Sequence, residues 1–506
     1  ERVAAWAGPA CAALGAIAVY LAGVRLGSRR VGAVAALFFA LLPISVVYTR
    51  VGNADHHGAV AMIGAWLLYT VVALADPAAS PRRVAALGGL LFVVRSAMLL
   101  TWHGSLLYLA PAEGLLLAVA VATGRAGLLF AQAGSALASG LVVAALLAVS
   151  PTPLGGPYSS IALSRLHLLA MAGVVVSAGA LAAALRLGRA RSASARIGWV
   201  AAAAMVFGVL VLVLPGPREG LVPAIRFLTL GDEVGAITGE QTPLFSFGDR
   251  LQGPPAVHSF GLLAYALPLA PLAGLLRVGA RTTIAFARAP GLVLAGWGLF
   301  FCGLAVLQRR YGNDAGPAAA LLFATALVAA ADRVLGVTRR GGAHRRAAGA
   351  LAAVLVAASF WPALAGIYAP RARGTWSALR TGGGPAPDVE RSVAHTIHRF
   401  AGRVREVTPE TRGYLEPGVG PEYGVIAHAN LGHALQYRAR RATATDPFWW
   451  YIGRRNWDRS FAFLEVAREA EALALARALE ARYVVTMPGL TPGLSLIHIS
   501  EPTRLR

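Results

Sequence analysis

The chain contains no lysine: all 46 of the basic residues among its 506 are arginine. Cysteine occurs only twice, at Cys11 and Cys302. Both lie in apolar stretches, so no disulfide framework is implied and the compartment is not read from them. Charge is scarce as well. Charged residues make up 14% of the chain, against roughly 25% in soluble domains. Acidic residues number 24, which leaves a formal charge of +22. Such a balance suggests nucleic acid, but much of the arginine sits in short loops between apolar runs, and that placement decides otherwise. Uniform arginine usage fits a GC-rich coding sequence and is no binding signature. What is abundant is apolar: 57% of residues are hydrophobic and the mean hydropathy is +0.60. These values describe a membrane protein.

About twelve runs are long and apolar enough to span a bilayer, which takes roughly 20 residues each. They lie near 3–23, 31–48, 58–75, 84–101, 104–122, 126–149, 165–186, 196–215, 258–276, 288–307, 315–335 and 347–369. Arginines orient them by the positive-inside rule. Arg25, Arg29 and Arg30 mark the first loop as cytoplasmic, and Arg82 with Arg83, Arg125, Arg186 to Arg196, Arg277 to Arg288 and Arg333 to Arg346 mark alternate loops. The Asp55 loop, the long loop 216–257, the turn 308–314 and everything after Ala369 then face outside. Past residue 370, Pro, Gly and charge increase, and short strand and helix patterns alternate. Tyr423 to Ala427 and Tyr483 to Thr486 read as strands, and Phe463 to Ala481 as a helix. Residues 370–493 therefore read as a small α/β extracytoplasmic domain after a 1–369 transmembrane domain.

Both ends look foreign to a complete gene product. The chain starts at Glu1 and runs directly into a span, so it reads as lacking its N-terminus. Leu494 to Arg504 resembles the translation of a transposon-type sequencing adapter, so 494–506 is expected to carry no fold or function.

Chemistry concentrates at the outer mouths of the spans. Arg50-Val51-Gly52-Asn53-Ala54-Asp55-His56-His57 joins two of them. Ionisable groups there are costly and are functional candidates. A carboxylate and an imidazole at positions i and i+2 can reach one divalent cation. The structural alternative is a polar helix cap in which Asp55 satisfies free N–H groups. Loop 216–257 contributes Ile237-Thr238-Gly239-Glu240-Gln241. Arg309 and Arg310 stand against the positive-inside pattern; such a pair binds anions or snorkels to the interface. Arg95, inside a span, reads as facing a cavity or snorkelling. His103 reads as an interface residue, Arg165 and His167 as a solvated helix cap, and Asp332 with Arg333 as a cytoplasmic helix end.

These motifs together resemble the catalytic subunit of oligosaccharyltransferases of the single-subunit bacterial and archaeal type, over nearly all of 1–493. The resemblance implies a polytopic α-helical membrane protein of the GT-C glycosyltransferase type, in the plasma membrane, with the twelve spans as family helices two to thirteen. Asp55-His56-His57 is similar to the family's second acidic motif, which makes Asp55 and His57 metal ligands. Ile237-Thr238-Gly239-Glu240 resembles its Thr-Ile-x-Glu motif with two residues exchanged; Glu240 would bind the metal or the acceptor amide. Arg310, with Arg309 as alternate, would contact the lipid diphosphate. Thr101-Trp102-x-Gly104 resembles a structural family sequence. The implied cofactor is Mn2+ or Mg2+. The implied partners are a polyprenyl diphosphate-linked oligosaccharide, an acceptor protein or peptide, and membrane lipid, with no nucleic acid. The reaction is transfer to asparagine, with Asp55 and Glu240 as catalytic groups.

Two departures stand out. The first external loop with the family's first catalytic Asp is absent, so the fragment alone is expected to be inactive. The Trp-Trp-Asp-Tyr-Gly acceptor motif is replaced by His428-Ala429-Asn430-Leu431-Gly432-His433, which leaves Asn430, Gly432 and His433 as acceptor-binding candidates. Phe448-Trp449-Trp450-Tyr451 reads as an interfacial aromatic cluster. The rival readings are a lipid-linked sugar transferase with another acceptor and a polytopic transporter.

Overall fold

A computed structural model describes residues 6–51, 56–153, 156–228, 243–245, 255–272, 289–334, 342–381, 393–416, 418–446 and 454–486. The chain divides into two compact units, Glu1–Ala369 and Pro370–Arg506.

The first unit is helical: α1 Ala7–Leu26, α2 Arg29–Leu41, α3 Pro43–Thr49, α4 His56–Ala75, α5 Pro81–Thr101, α6 Leu106–Thr123, α7 Ala126–Val149, α8 Arg165–Arg186, α9 Ala193–Val213, α10 Pro215–Leu228, α11 Pro255–Phe260, α12 Ala289–Leu307, α13 Gly312–Val334 and α14 Gly342–Ser359. Among the described residues nine helices are long and apolar enough to cross a membrane, and two bent pairs bring the number to eleven. The protein is thus a multi-pass membrane protein.

Three of the twelve expected spans take another form, each for a local backbone reason. The run near 31–48 bends by 63° between α2 and α3. Pro43 has no N–H to donate, and it holds Leu42 in an extended conformation (φ −65°, ψ 116°). The run near 347–369 bends by 58°, where Pro362 precedes a π-turn at Leu364–Tyr368. The run near 258–276 is the shorter apolar helix Ala256–Leu272. There α11 passes into a 3-10 segment, Gly261–Leu269, with Gly261 at φ +64° and Pro268 inside.

Helix starts follow local chemistry. Ser28, Ser80 and Ser192 each accept a backbone N–H from the first turn that follows. At the opposite helix ends arginines donate to carbonyls left over from neighbouring helices. Arg125 reaches Leu74 O and Asp76 O, and Arg196 reaches Val121 O at 2.6 Å. Arg30 pairs with Asp332 at 2.7 Å. Small residues permit close crossings: a Cβ on Gly23 of α1 would lie 2.6 Å from Gly32 Cα of α2. Burial ranks the helices: 78% of the α4 window is buried, 72% of the α13 window and 6% of the α9 window. So α4 and α13 form the centre and α9 faces the surroundings.

The second unit contains α15 Ala369–Thr381 at its boundary, then α16 Val393–Val407, β1 Gly424–Ala427, β2 Ala442–Thr443, α17 Arg454–Glu465, α18 Glu469–Ala478 and β3 Ala481–Val485. The strands are parallel in the order β2–β1–β3. Alternation along β1 sends Val425 and Ala427 into one cluster with Ala401 and Val404 of α16. Ile426 enters another with Phe463, Leu464 and Ala476. The expected helix Phe463–Ala481 is broken at residues 466–468. A straight helix of that length would run about 28 Å, well past a strand of roughly 17 Å. The break returns both halves to one face of the sheet.

Candidate functional site

The two most buried helices, α4 and α13, meet at their N-terminal ends, and three of the sequence candidates, His57, Arg309 and Arg310, lie there. His57 lies in the first turn of α4. Its ring stacks on His56 (centroids 4.3 Å apart) and tilts against Tyr48 at 4.8 Å. Arg309 and Arg310 occupy the 3-10 turn Arg309–Tyr311 that leads into α13, both partly exposed. The Arg310 guanidinium lies 5.8 Å from the Tyr311 ring centre. The two turns are joined directly: the Asn313 side-chain amide donates to the His57 carbonyl at 3.1 Å. Arg310 and His56 both lie within electrostatic range of the buried Asp314 carboxylate, and the Tyr108 hydroxyl donates to that carboxylate.

Glycines let the start of α13 pack closely on the α2–α3 bend. A Cβ on Gly312 would meet Ile44 Cδ1 at 2.8 Å, and one on Gly316 would meet Leu42 Cδ2 at 2.9 Å. The Trp102-x-Gly104 motif has a similar basis, since a Cβ on Gly104 would lie 2.5 Å from the Trp102 indole. Asp55 and Glu240, the carboxylates of the expected metal set, lie outside the described residues, as do Phe448 to Tyr451 and the 494–506 tail. Among the described residues no group of three His, Cys, Asp or Glu side chains is arranged to hold a metal ion.

Three histidines that the sequence did not single out as site residues also belong to this end of the bundle. His103 follows α5 and lies within electrostatic range of His56, Arg310 and His167. His167 is a helix cap as expected, but it is fully buried, not solvated. Its Nδ1 accepts from the Ser164 backbone N–H at 3.2 Å, so Nε2 carries the proton and donates to His103 O at 3.0 Å. His56 was visible only as a neighbour of the two ligand candidates. The usable signal for all three is imidazole at the mouths of three different spans, a place where polar groups are costly.

Arg95 belongs elsewhere. Its Nε and Nη2 donate to Glu113 Oε1 at 2.9 and 2.5 Å, and its Nη1 donates to Ser135 at 2.8 Å. Gln132 donates to the other Glu113 oxygen at 2.8 Å. With 0% of Arg95 exposed, it neither snorkels nor lines a cavity.

In the second unit, Asn430, Gly432 and His433 follow the C-terminal end of β1, the edge where open parallel sheets bind ligands. Asn430 and His433 are exposed. Gly432 is buried where a Cβ would come within 2.5 Å of Asp446 Cβ. His428 accepts from the Asn430 N–H at 3.3 Å, and burial depresses its imidazole below the ordinary value.

No protein-family model matches the sequence, and no curated protein matches it. Solved structures do. Archaeal oligosaccharyltransferase AglB from Archaeoglobus fulgidus, in complex with an inhibitory peptide and a dolichol-phosphate, superposes with a TM-score of 0.71 at 19% identity, covering 96% of this chain and 58% of that one. The Archaeoglobus fulgidus oligosaccharyltransferase tethered to an acceptor peptide containing the NVT sequon gives 0.67 at 21% identity, covering 96% and 57%. Its complex with Zn and sulfate gives 0.65 at 19%, covering 96% and 56%. The chain spans less than three fifths of the length of these proteins. Over nearly all of its own length, it has the fold of the archaeal oligosaccharyltransferase.

Proposed function

We propose that the chain is the membrane part and adjoining α/β unit of an oligosaccharyltransferase, which moves an oligosaccharide from a polyprenyl diphosphate carrier to the side-chain amide of a protein asparagine. The observation that carries this reading is the meeting of the His56-His57 turn with the Arg309-Arg310 turn, in a bundle of this fold. An arginine flanked by imidazoles and balanced by a buried carboxylate suits a multivalent anion at the membrane surface. The similar structures hold a dolichol-phosphate, a sequon peptide, and zinc with sulfate. They support a lipid-phosphate donor, a peptide acceptor and a divalent cation here.

In this reading Arg310, with Arg309 beside it, takes the diphosphate and offsets the negative charge that grows on it. Asp55 and Glu240 accept hydrogen bonds from the asparagine amide. Its nitrogen bonds to the anomeric carbon with inversion as the bond from that carbon to the diphosphate oxygen breaks, and a carboxylate takes the amide proton. Two carboxylates and the imidazole of His57, held between His56 and Tyr48, form a donor set suited to Mn2+ or Mg2+. The ion would supply Lewis acidity toward the leaving group. The positive-inside distribution of arginine supports an extracytoplasmic side of the plasma membrane for this end of the bundle, for loop 216–257 and for residues 370–493.

A second reading keeps the donor and changes the acceptor. It is favoured by the edge of β1, where exposed Asn430 and His433 stand in place of a Trp-Trp-Asp motif. The test is transfer from a lipid-linked oligosaccharide to an Asn-x-Thr peptide, by the protein and by its Asp55→Ala and Glu240→Ala variants. Activity that depends on Asp55 and Glu240 supports the first reading. Donor hydrolysis without peptide glycosylation supports the second, and absence of both reactions refutes both.

A further inference from the structure

We propose that Asn313 and Asp314 are positioning residues. Together they form a two-armed staple that sets the Arg310 turn against the His56-His57 turn. The inference rests on the donor-diphosphate reading of that cluster. Asn313 is 0% exposed and spends its amide N–H on the His57 carbonyl, which ties α13 to α4. Asp314 is 6% exposed and accepts from the Tyr108 hydroxyl, which ties α13 to α6.

Tyr108 is itself a rigid anchor. Its ring packs 4.8 Å from Phe301 and 6.3 Å from Trp297, both on α12, and edge-on to Trp102 at 6.1 Å. On its remaining side a Cβ on Gly64 of α4 would come within 2.5 Å of the ring, so only glycine admits it there. Consecutive residues on a helix diverge by about 100°, so the two arms brace the first turn of α13 from different directions. Arg310 lies three and four residues before them, in the 3-10 turn that leads directly into α13. The Asp314 carboxylate also lies within electrostatic range of both Arg310 and His56. It therefore places a negative charge beside the partly exposed Arg310 guanidinium. Neither residue needs to touch the donor: the staple acts by fixing where the guanidinium stands.

The experiment measures the affinity of the full chain in detergent for farnesyl diphosphate, by calorimetry, together with the thermal midpoint. Arg310→Ala should weaken binding about a hundredfold. Tyr108→Phe, which keeps the ring and its packing, and Asn313→Ala should each weaken it about tenfold. In the Arg310→Ala background the same two changes should add less than about twofold, because their effect passes through Arg310. A merely structural role would lower the thermal midpoint and reduce affinity equally in both backgrounds, which overturns the inference. Unchanged affinity in Tyr108→Phe and Asn313→Ala overturns it too. If the unsubstituted chain and Arg310→Ala bind farnesyl diphosphate alike, or neither binds, the donor-site reading itself fails and the staple falls with it.

Discussion

Arg95 is fully enclosed inside one helix, and Arg310 is partly exposed at the start of another. All three donor nitrogens of Arg95 are spent on Glu113 and Ser135, and Gln132 takes the remaining Glu113 oxygen. Arg310 has imidazoles for neighbours, and the carboxylate in its range, Asp314, is already accepting from Tyr108. The difference separates architecture from chemistry in a membrane protein. A charge that must stay in the bilayer interior is closed off in a matched set and registers helices. Arg310 stands at the mouth of a span, with the buried Asp314 carboxylate in its electrostatic range.

The comparison can be broken at several points. Glu113→Ala leaves the Arg95 guanidinium buried and uncompensated, and should destabilise the membrane unit by about 3–5 kcal/mol. Replacing both residues with Met should cost far less. Thermal unfolding in detergent measures both, and equal losses would show that the pair is not a matched set. Arg310→Ala should leave the unfolding midpoint unchanged while reducing transfer by about 100-fold or more. Arg310→Lys should recover little of that, because an ammonium cannot present the planar fork; full recovery would mean that only charge matters there. Gly64→Ala should cost about 1–3 kcal/mol by forcing the Tyr108 ring from its place. It should lower donor affinity with stability, in contrast to Glu113→Ala. Asp332→Asn breaks the half-exposed pair with Arg30 at the other end of the bundle and should cost under about 1 kcal/mol, with no effect on transfer.

Much of the fold was legible because bilayer physics constrains sequence strongly. Long apolar runs and interrupting arginines reveal spans and loops without reference to neighbours, and the change of composition near residue 370 separates an α/β unit. Bends were not legible in the hydropathy of a window, since Pro43 and Pro362 sit in runs as apolar as any other. The candidate site was half legible. His57 and Arg310 drew notice because each is polar at the mouth of a span. Glu113 escaped notice as a lone acid in an apolar run, and its partner Arg95 reads in sequence as facing a cavity or snorkelling. Asn313 and Asp314 look in sequence like an ordinary polar helix start, and His167 like a solvated cap.

From the one-dimensional pattern came the membrane class, the helical spans and the residues whose polarity is out of place, because the cost of polarity in lipid acts on each residue separately. Pairing came only from the fold. Which charge lies against which, and which turn is braced by which helix, depends on contacts between residues up to some three hundred positions apart, such as Arg30 with Asp332 and Asn313 with His57. Such contacts are decided by how whole helices pack, and helix packing leaves no local mark on the sequence.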